Sequence, residues 1–176
     1  SRGIGKTSLA RIFAKALICE KRDIKKFEPC GKCSVCDAAR AGSYLDIIEM
    51  DAATHTQVDK VRENIIEAAR ALPSQGKYKI FIIDEVHMLS TSSFNALLKI
   101  IEEPPEHVIF ILATTEVHKV PQTVLSRCER FDFKKIPQAL VVERLKGIVE
   151  KEKRSVEKDV LEEIARFSDG AMRDAE

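Results

Sequence analysis

Apolar residues follow two patterns along the first part of the chain: short unbroken runs, and positions spaced three or four residues apart. Ile80–Ile83 and Val108–Ala113 are unbroken apolar runs, which are typical of strands covered on both faces in a parallel sheet. Leu45–Met50 predicts a further short strand. Since helical patterns separate these runs, the sequence predicts a three-layer α/β domain with a parallel sheet.

Helical spacing predicts three helices around this sheet. The first runs from about Thr7 to Ile18, the second opens with a capping-box pattern at Thr56 and Asp59, and the third ends before Pro104 and Pro105. Their apolar positions are Leu9, Ile12, Phe13, Ala16 and Leu17 in the first, Val58, Val61, Ile65 and Leu72 in the second, and Phe94, Leu97, Leu98 and Ile101 in the third.

After Pro137 the strand pattern stops and helical spacing alone continues. One helix carries Val141, Leu145 and Ile148, and another begins after Ser155 with Leu161, Ile164 and Ala165. The charged residues 150–154 between them predict a solvated helix end. We therefore predict a core domain over residues 1–136 and a small helical domain over residues 137–176.

Length and charge limit the function classes. A chain of 176 residues can bury one substantial core, with room for a smaller unit beside it. Its net charge of +1 gives no overall basic excess, so any DNA contact must come from a local patch or from partner subunits. No apolar run approaches the roughly 18 residues of a membrane-spanning helix, and no signal-peptide pattern opens the chain. We expect a cytoplasmic protein with no membrane partner.

The start of the chain carries a phosphate-binding pattern. Gly3, Gly5, Lys6 and Thr7 form the later part of G-x-x-x-x-G-K-[ST], in which backbone N–H groups of a turn and of the following helix cradle phosphates. Lys6 would reach the β and γ phosphates of ATP, Thr7 would ligate Mg²⁺, and Ser8 is a further nucleotide-binding candidate. The first glycine and its strand would precede this chain. A chance Gly-Lys-Thr helix start is the competing interpretation.

Two acids end the most apolar strand. Asp84 and Glu85 follow Ile80–Ile83, which places both at the carboxyl edge of the sheet, where ligands bind in α/β proteins. Asp84 would complete the magnesium shell, and Glu85 would polarise the attacking water. Such a pair alone is commonly a solvated strand end, but together with Lys6 and Thr7 it predicts a nucleoside triphosphatase.

Four of the five cysteines lie close together in the sequence. Cys19, Cys30, Cys33 and Cys36 have the spacing C-x10-C-x2-C-x2-C, and four thiolates suit a closed tetrahedral zinc site. We therefore predict a structural zinc module over residues 19–36. An iron–sulfur cluster and unliganded thiols are the alternatives. Cys128 is predicted to be a buried core thiol.

The motifs together resemble the clamp-loader ATPases of the AAA+ class, most closely the bacterial DNA polymerase III gamma/tau type. Ile82–Leu89 is similar to that family's Walker B segment, and residues 94–99 with 102–106 resemble the stretch that follows it. The cysteine insert is also typical of the bacterial members, although its first gap is longer here. The resemblance implies a P-loop AAA+ core with a helical lid.

The same resemblance implies roles for residues outside the phosphate-binding pattern. Thr115, with Thr114 as the second choice, would be sensor 1 and help to orient the attacking water. Arg127 in the Ser126–Cys128 motif would enter the ATP site of a neighbouring subunit as a finger. Arg173 would act as sensor 2 and reach the γ-phosphate of its own subunit from a lid helix.

The function implied by the resemblance is ATP-driven opening of a sliding clamp and its loading onto primed DNA. Other clamp-loader subunits in a hetero-oligomeric ring, the clamp and the DNA would be partners, with the polymerase core contacted through regions outside this chain. ATP, Mg²⁺ and Zn²⁺ are the expected cofactors. The alternatives are a catalytically silent subunit that positions partners, another AAA+ repair or recombination motor, and a DExH helicase. The helicase fits poorly, because it needs a second motor domain.

Overall fold

The computed structural model describes residues 2–53 and 65–176, and the chain divides into two compact units. The larger unit comprises Thr7–Arg130, and the smaller comprises Phe131–Glu176 together with Ser1–Lys6. A domain boundary is a statement about independent folding, so the predicted division after residue 136 stays a prediction.

Three parallel strands form the sheet of the larger unit. They lie in the order β1 (Ile47–Asp51), β2 (Lys79–Asp84) and β3 (Val108–Leu112). Ile47 lies opposite Ile80 in the parallel register. The three predicted strands are confirmed, but β1 begins later than predicted. Asp46 lies before it as a buried carboxylate that accepts hydrogen bonds from the N–H groups of Ser74 and Gln75.

Helices cover both faces of the sheet, which confirms the three-layer α/β fold. The helices around the sheet are α1 (Lys6–Ile18), α2 (Ser34–Arg40), α3 (described over 65–70), α4 (Thr91–Glu102) and α5 (Gln122–Leu125). Ile80 and Ile82 of β2 pack on the side of α1 and α2, whereas Phe81 and Ile83 pack on the side of α3 and α4. All four side chains are fully buried, as alternation along a central strand requires.

The predicted first helix is confirmed as α1, but its large apolar residues are not its buried face. The buried residues are the small Ala10, Ala14 and Ala16 with Ile18, whereas Leu9, Ile12 and Phe13 are exposed. Alanine side chains let the helix axis lie close to the sheet. Of the five predicted apolar positions, Ala16 is buried and Leu17 is partly buried against the core.

The second predicted helix corresponds to α3, whose described part buries Ile65 and Ala69. Its predicted capping box and two of its apolar positions, Val58 and Val61, lie outside the described residues. The prediction for Leu72 was wrong: its side chain is 76% exposed, because the helix ends before it. The buried Lys79 donates from Nζ to the backbone carbonyls of Ala68 and Ala71, both at 3.0 Å, and so closes this helix end.

The smaller unit is helical, as predicted for the chain after Pro137. It contains α6 (Gln138–Lys151), α7 (Lys158–Phe167) and α8 (Met172–Ala175). Val141 and Leu145 of α6 pack with Leu161 and Ala165 of α7 in its core. Residues 150–154 are exposed, which confirms their predicted solvation. Across the described parts of the chain, no helix combines the length and apolarity needed to cross a bilayer.

Candidate active site and metal centre

The amino-terminal turn of α1 meets the carboxyl end of β2. The hydroxyl Oγ1 of Thr7 donates to Oδ2 of Asp84 at 2.5 Å, across 77 positions of sequence. Asp84 points to this helix because it continues the alternation of Ile80 and Ile82, which face α1. The first turn of a helix carries unsatisfied N–H groups and a partial positive charge. The junction therefore places an oxygen pair beside an anion-favouring helix end.

This oxygen pair fits Mg²⁺. Two neighbouring ligands of an octahedral ion at about 2.1 Å lie about 3 Å apart, so the observed 2.5 Å separation needs only a small opening. The other carboxylate oxygen of Asp84, Oδ1, accepts from the N–H of Glu85 at 2.9 Å, which fixes the plane of the carboxylate. Thr7 and Asp84, both predicted as magnesium ligands, are thus brought together by the structure.

The turn before α1 has the backbone conformation that its glycines allow. Gly3 and Gly5 have φ values of +68° and +90°. In the smaller unit, Gly3 accepts a hydrogen bond at its carbonyl from the N–H of Met172 at 2.8 Å. A Cβ at Gly3 would lie 3.3 Å from Cβ of Arg173, so the predicted sensor 2 residue lies in the first turn of α8, directly beside Gly3. Lys6 is the half-buried first residue of α1, and Ser8 is exposed in its first turn.

The two predicted acids diverge. Glu85 has φ +47°, in the left-handed region that non-glycine residues rarely adopt. Its Oε2 accepts hydrogen bonds from Thr115, at 2.9 Å from Oγ1 and 3.3 Å from the backbone N–H. Asp84 therefore faces α1, whereas Glu85 faces the loop after β3. Of the two candidate threonines, Thr115 contacts Glu85, while Thr114 has other partners.

Sequence reasoning did not single out His87, which belongs to this cluster. It lies in the single-turn 3₁₀ helix Val86–Met88, and its side chain is 6% exposed. Nδ1 lies 2.9 Å from Oγ1 of Thr114, and Nε2 lies 3.1 Å from a carboxylate oxygen of Glu116. A hydrogen bond from Lys119 chiefly lowers the pKa of Glu116, with a smaller contribution from His87. A signal was present in the sequence, since His87 follows the two acids within Ile82–Leu89, the segment that resembles Walker B.

Arg127 lies at the surface of the larger unit. Its Nη2 forms an ion pair with Glu102 at the end of α4 at 2.8 Å, and its Nη1 donates to the carbonyl of Thr123 at 2.7 Å. The neighbouring Cys128 is half-buried against the core instead of fully buried as predicted, and burial raises the pKa of its thiol. The guanidinium of Arg127 is thus bound to residues of its own chain and remains exposed.

The four clustered cysteines converge. Cys19 follows α1, Cys33 caps the start of α2 and Cys36 lies within it, and all four Sγ atoms lie within 4.8 Å of one another. The Cys19–Cys33 and Cys30–Cys36 sulfur separations are both 4.0 Å. The thiolates around a tetrahedral zinc ion, at about 2.3 Å from it, are about 3.8 Å apart. A multi-iron cluster needs wider separations, so the geometry fits a single ion better.

Hydrogen bonds and burial act in opposite directions on two of these thiols. The backbone N–H of Lys32 is the main cause that lowers the pKa of Cys30 to about 6. Burial raises the pKa of Cys36 to about 12. A cation at the centre of the cluster would favour all four thiolates together, as a closed structural site requires.

The family model and the relatives that match this chain are all described as DNA polymerase III subunits. A family model described as DNA polymerase III, delta subunit, matches residues 1–137. DNA polymerase III subunit tau of Bacillus subtilis is 54% identical over 174 residues, which are 99% of this chain and 30% of that protein. Subunit tau of Escherichia coli is 45% identical over 175 residues, again 99% of this chain and 27% of that protein. The chain therefore spans less than a third of these two relatives.

Solved structures confirm the fold. The Thermotoga maritima RuvB Holliday junction branch migration motor superposes with a TM-score of 0.64 at 19% identity, over 98% of this chain and 48% of that one. At this identity the likeness concerns architecture alone.

Proposed function

We propose that this chain, which belongs to the family described as DNA polymerase III, delta subunit, is the ATP-hydrolysing part of a clamp-loader motor of the gamma/tau type. The observation that carries the proposal is the contact between Thr7 and Asp84. It joins the helix that follows the glycine turn to the strand that ends in the two acids, as a magnesium-dependent triphosphatase requires.

Each predicted residue has a role in this proposal. Gly3, Gly5, Lys6 and Ser8 bind the phosphates, and Thr7 with Asp84 holds Mg²⁺, which neutralises charge on the phosphate oxygens. Glu85 accepts a proton from the attacking water, and Thr115 fixes the direction of Glu85. Arg173 is the proposed sensor 2 residue for the γ-phosphate. These assignments are supported by the contacts described above for Thr7, Asp84, Glu85 and Thr115.

Arg127 acts on a neighbouring subunit in this proposal. An arginine supplied in trans stabilises charge that develops on the transferring phosphoryl group, and its exposed position makes it accessible to a partner. The ring of clamp-loader subunits would thereby couple ATP hydrolysis to release of the sliding clamp on primed DNA. The cysteine module holds Zn²⁺ as a structural ion, and the protein acts in the cytoplasm.

The test uses the full-length protein assembled with its companion subunits. We expect ATP hydrolysis that increases when both the sliding clamp and primed DNA are added, and loss of hydrolysis with retained ATP binding in Glu85→Gln. Hydrolysis stimulated by DNA but indifferent to the clamp would favour another AAA+ motor. Absence of ATP binding in the wild-type assembly would favour a silent positioning subunit.

A further inference from the structure

His87 lies between two carboxylates and contacts both. Its Nε2 is 3.1 Å from Oε2 of Glu116, and its Nδ1 is 3.3 Å from Oε2 of Glu85. Glu85 belongs to the end of β2, and Glu116 belongs to the loop that follows β3. An almost fully buried imidazole thus bridges the ends of two neighbouring strands.

The backbone holds this bridge in place. The N–H of Val86 donates to the carbonyl of Ala113 at 2.9 Å, which fixes the turn that carries His87 against the end of β3. The N–H of Glu116 donates to Oγ1 of Thr114 at 2.9 Å, and the same hydroxyl lies 2.9 Å from Nδ1 of His87. Rotation of the ring would therefore cost the hydrogen bond to Thr114 and move Nε2 away from Glu116.

Both carboxylates lie at ion-pair distance from the ring. Glu116 faces Nε2 at 3.1 Å, and Glu85 faces Nδ1 at 3.3 Å. Nδ1 and the Thr114 hydroxyl form the hydrogen bond of the ring. This arrangement matches the familiar pairing in which a carboxylate orients a histidine through its other ring nitrogen. Glu116 therefore orients His87, and the ring edge in turn limits where Glu85 can lie.

Glu85 is anchored through one oxygen. Its Oε2 receives both hydrogen bonds from Thr115 and lies against the His87 ring. These three contacts all use Oε2, and none of them uses the other oxygen, Oε1. A carboxylate held at one oxygen presents the other in a fixed direction, as a general base needs for a water molecule.

We propose that His87, oriented by Glu116, is a positioning residue for ATP hydrolysis that holds the Glu85 carboxylate so that Oε1 faces the attacking water. The inference rests on the proposed function, since it concerns the same reaction. It adds two residues, His87 and Glu116, whose effect on the reaction passes through Glu85. Their loss is therefore expected to slow hydrolysis without weakening ATP binding.

The variants separate the two contacts of the ring. His87→Ala removes both, His87→Asn keeps an amide at the place of Nδ1 beside Glu85, and His87→Gln reaches toward Glu116 only. Glu116→Gln tests the orienting carboxylate. The matched control is His118→Ala, because His118 lies in the same loop, its side chain is 73% exposed, and its Nε2 lies 4.0 Å from Oε1 of Glu116, at the limit of an ion pair.

The measurement is steady-state ATP hydrolysis by the full-length protein in its assembled complex, with ATP affinity and thermal unfolding measured on the same samples. We expect kcat to fall about tenfold in His87→Ala, since one oriented polar contact with Glu85 is lost, with KM and ATP affinity within about twofold. His87→Asn should recover more of kcat than His87→Gln, Glu116→Gln should fall in the same direction as His87→Ala, and His118→Ala should match the wild type.

Three outcomes overturn the inference. An unchanged kcat in His87→Ala shows that His87 does not position Glu85 for hydrolysis. A raised kcat shows that the ring holds Glu85 away from the water. Parallel losses of ATP affinity, stability and kcat, with no recovery in His87→Asn, show a purely structural histidine. Absence of hydrolysis in the wild-type complex overturns the proposed function as well, whereas normal hydrolysis that is insensitive to His87 overturns the inference alone.

Discussion

Replacing Thr7 by valine should uncouple the phosphate-binding helix from the acidic end of β2. Valine has almost the shape of threonine, so the change removes the hydroxyl without leaving a cavity. The lost contact is a 2.5 Å hydrogen bond from Oγ1 to a carboxylate. Hydrogen bonds to charged groups contribute about 1.5–3 kcal/mol when buried.

Two features of the structure make the loss of stability in Thr7→Val smaller than this value. The bond is only partly buried, and Asp84 keeps its hydrogen bond from the Glu85 N–H at 2.9 Å. We therefore expect the free energy of unfolding to fall by about 1–2 kcal/mol. The substitution should have a larger effect on the Mg²⁺ dependence of ATP binding than on stability. Since Thr7 is a proposed ligand, the strengthening of ATP binding by Mg²⁺ should shrink by about tenfold or more.

Two assays test this pair of effects. Urea unfolding gives the change in free energy, and ATP titration with and without Mg²⁺ gives the change in metal dependence. Thr7→Ser is the control, because it keeps the hydroxyl and should retain both properties. If Thr7→Val has the same stability and the same magnesium dependence as the wild type, the proposed nucleotide site is wrong.

Three further predictions concern other contacts. Purified protein should carry one zinc ion per chain, and Cys36→Ser should lose it and unfold at lower temperature; bound iron with visible absorbance would contradict the zinc assignment. Lys79→Met should lower the free energy of unfolding by about 2–3 kcal/mol, since Nζ of this buried lysine holds the carbonyl end of α3, and the exposed Lys77→Met should change it by less than about 0.5 kcal/mol. Arg127→Ala should lower ATP hydrolysis by the assembled complex by about 10³-fold or more, and an unchanged rate would contradict the proposed role of Arg127 in a neighbouring ATP site. Glu102→Gln should change the free energy of unfolding by less than about 1 kcal/mol, because its ion pair with Arg127 is exposed.

Much of the architecture could be predicted, because a strand that is buried on both faces of the sheet is apolar at every position. The run Ile80–Ile83 is apolar at every position since both sides of β2 face helices, and the structure buries all of it. The direction of Asp84 also follows from alternation along that strand. The convergence of the four cysteines agrees with their spacing, because short gaps can bring thiolates together only around a turn.

Other features could not be predicted because they depend on contacts distant in sequence. The buried face of α1 is made mainly of alanines, so the apolar periodicity is right for Ala16 and wrong for Leu9, Ile12 and Phe13. Leu72 looked like a helix residue, but the end of α3 is fixed by Lys79 from the next strand. The place of His87 depends on Thr114 and Glu116, which approach it only when β3 pairs with β2.

The left-handed residue Glu85 explains how two adjacent acids can perform different tasks. In an extended strand, neighbouring side chains point to opposite faces, which would send Glu85 towards α3 and α4, away from the helix that Asp84 contacts. Its φ of +47° instead turns it along the sheet edge to Thr115. A left-handed conformation costs roughly 1–2 kcal/mol for a residue with a Cβ. The two hydrogen bonds from Thr115 to its carboxylate, and the one from the Met88 N–H to its carbonyl, offset that cost. Because the two bonds from Thr115 come from the loop after β3, the direction of the proposed catalytic carboxylate depends on that loop, and the site can respond to whatever moves it.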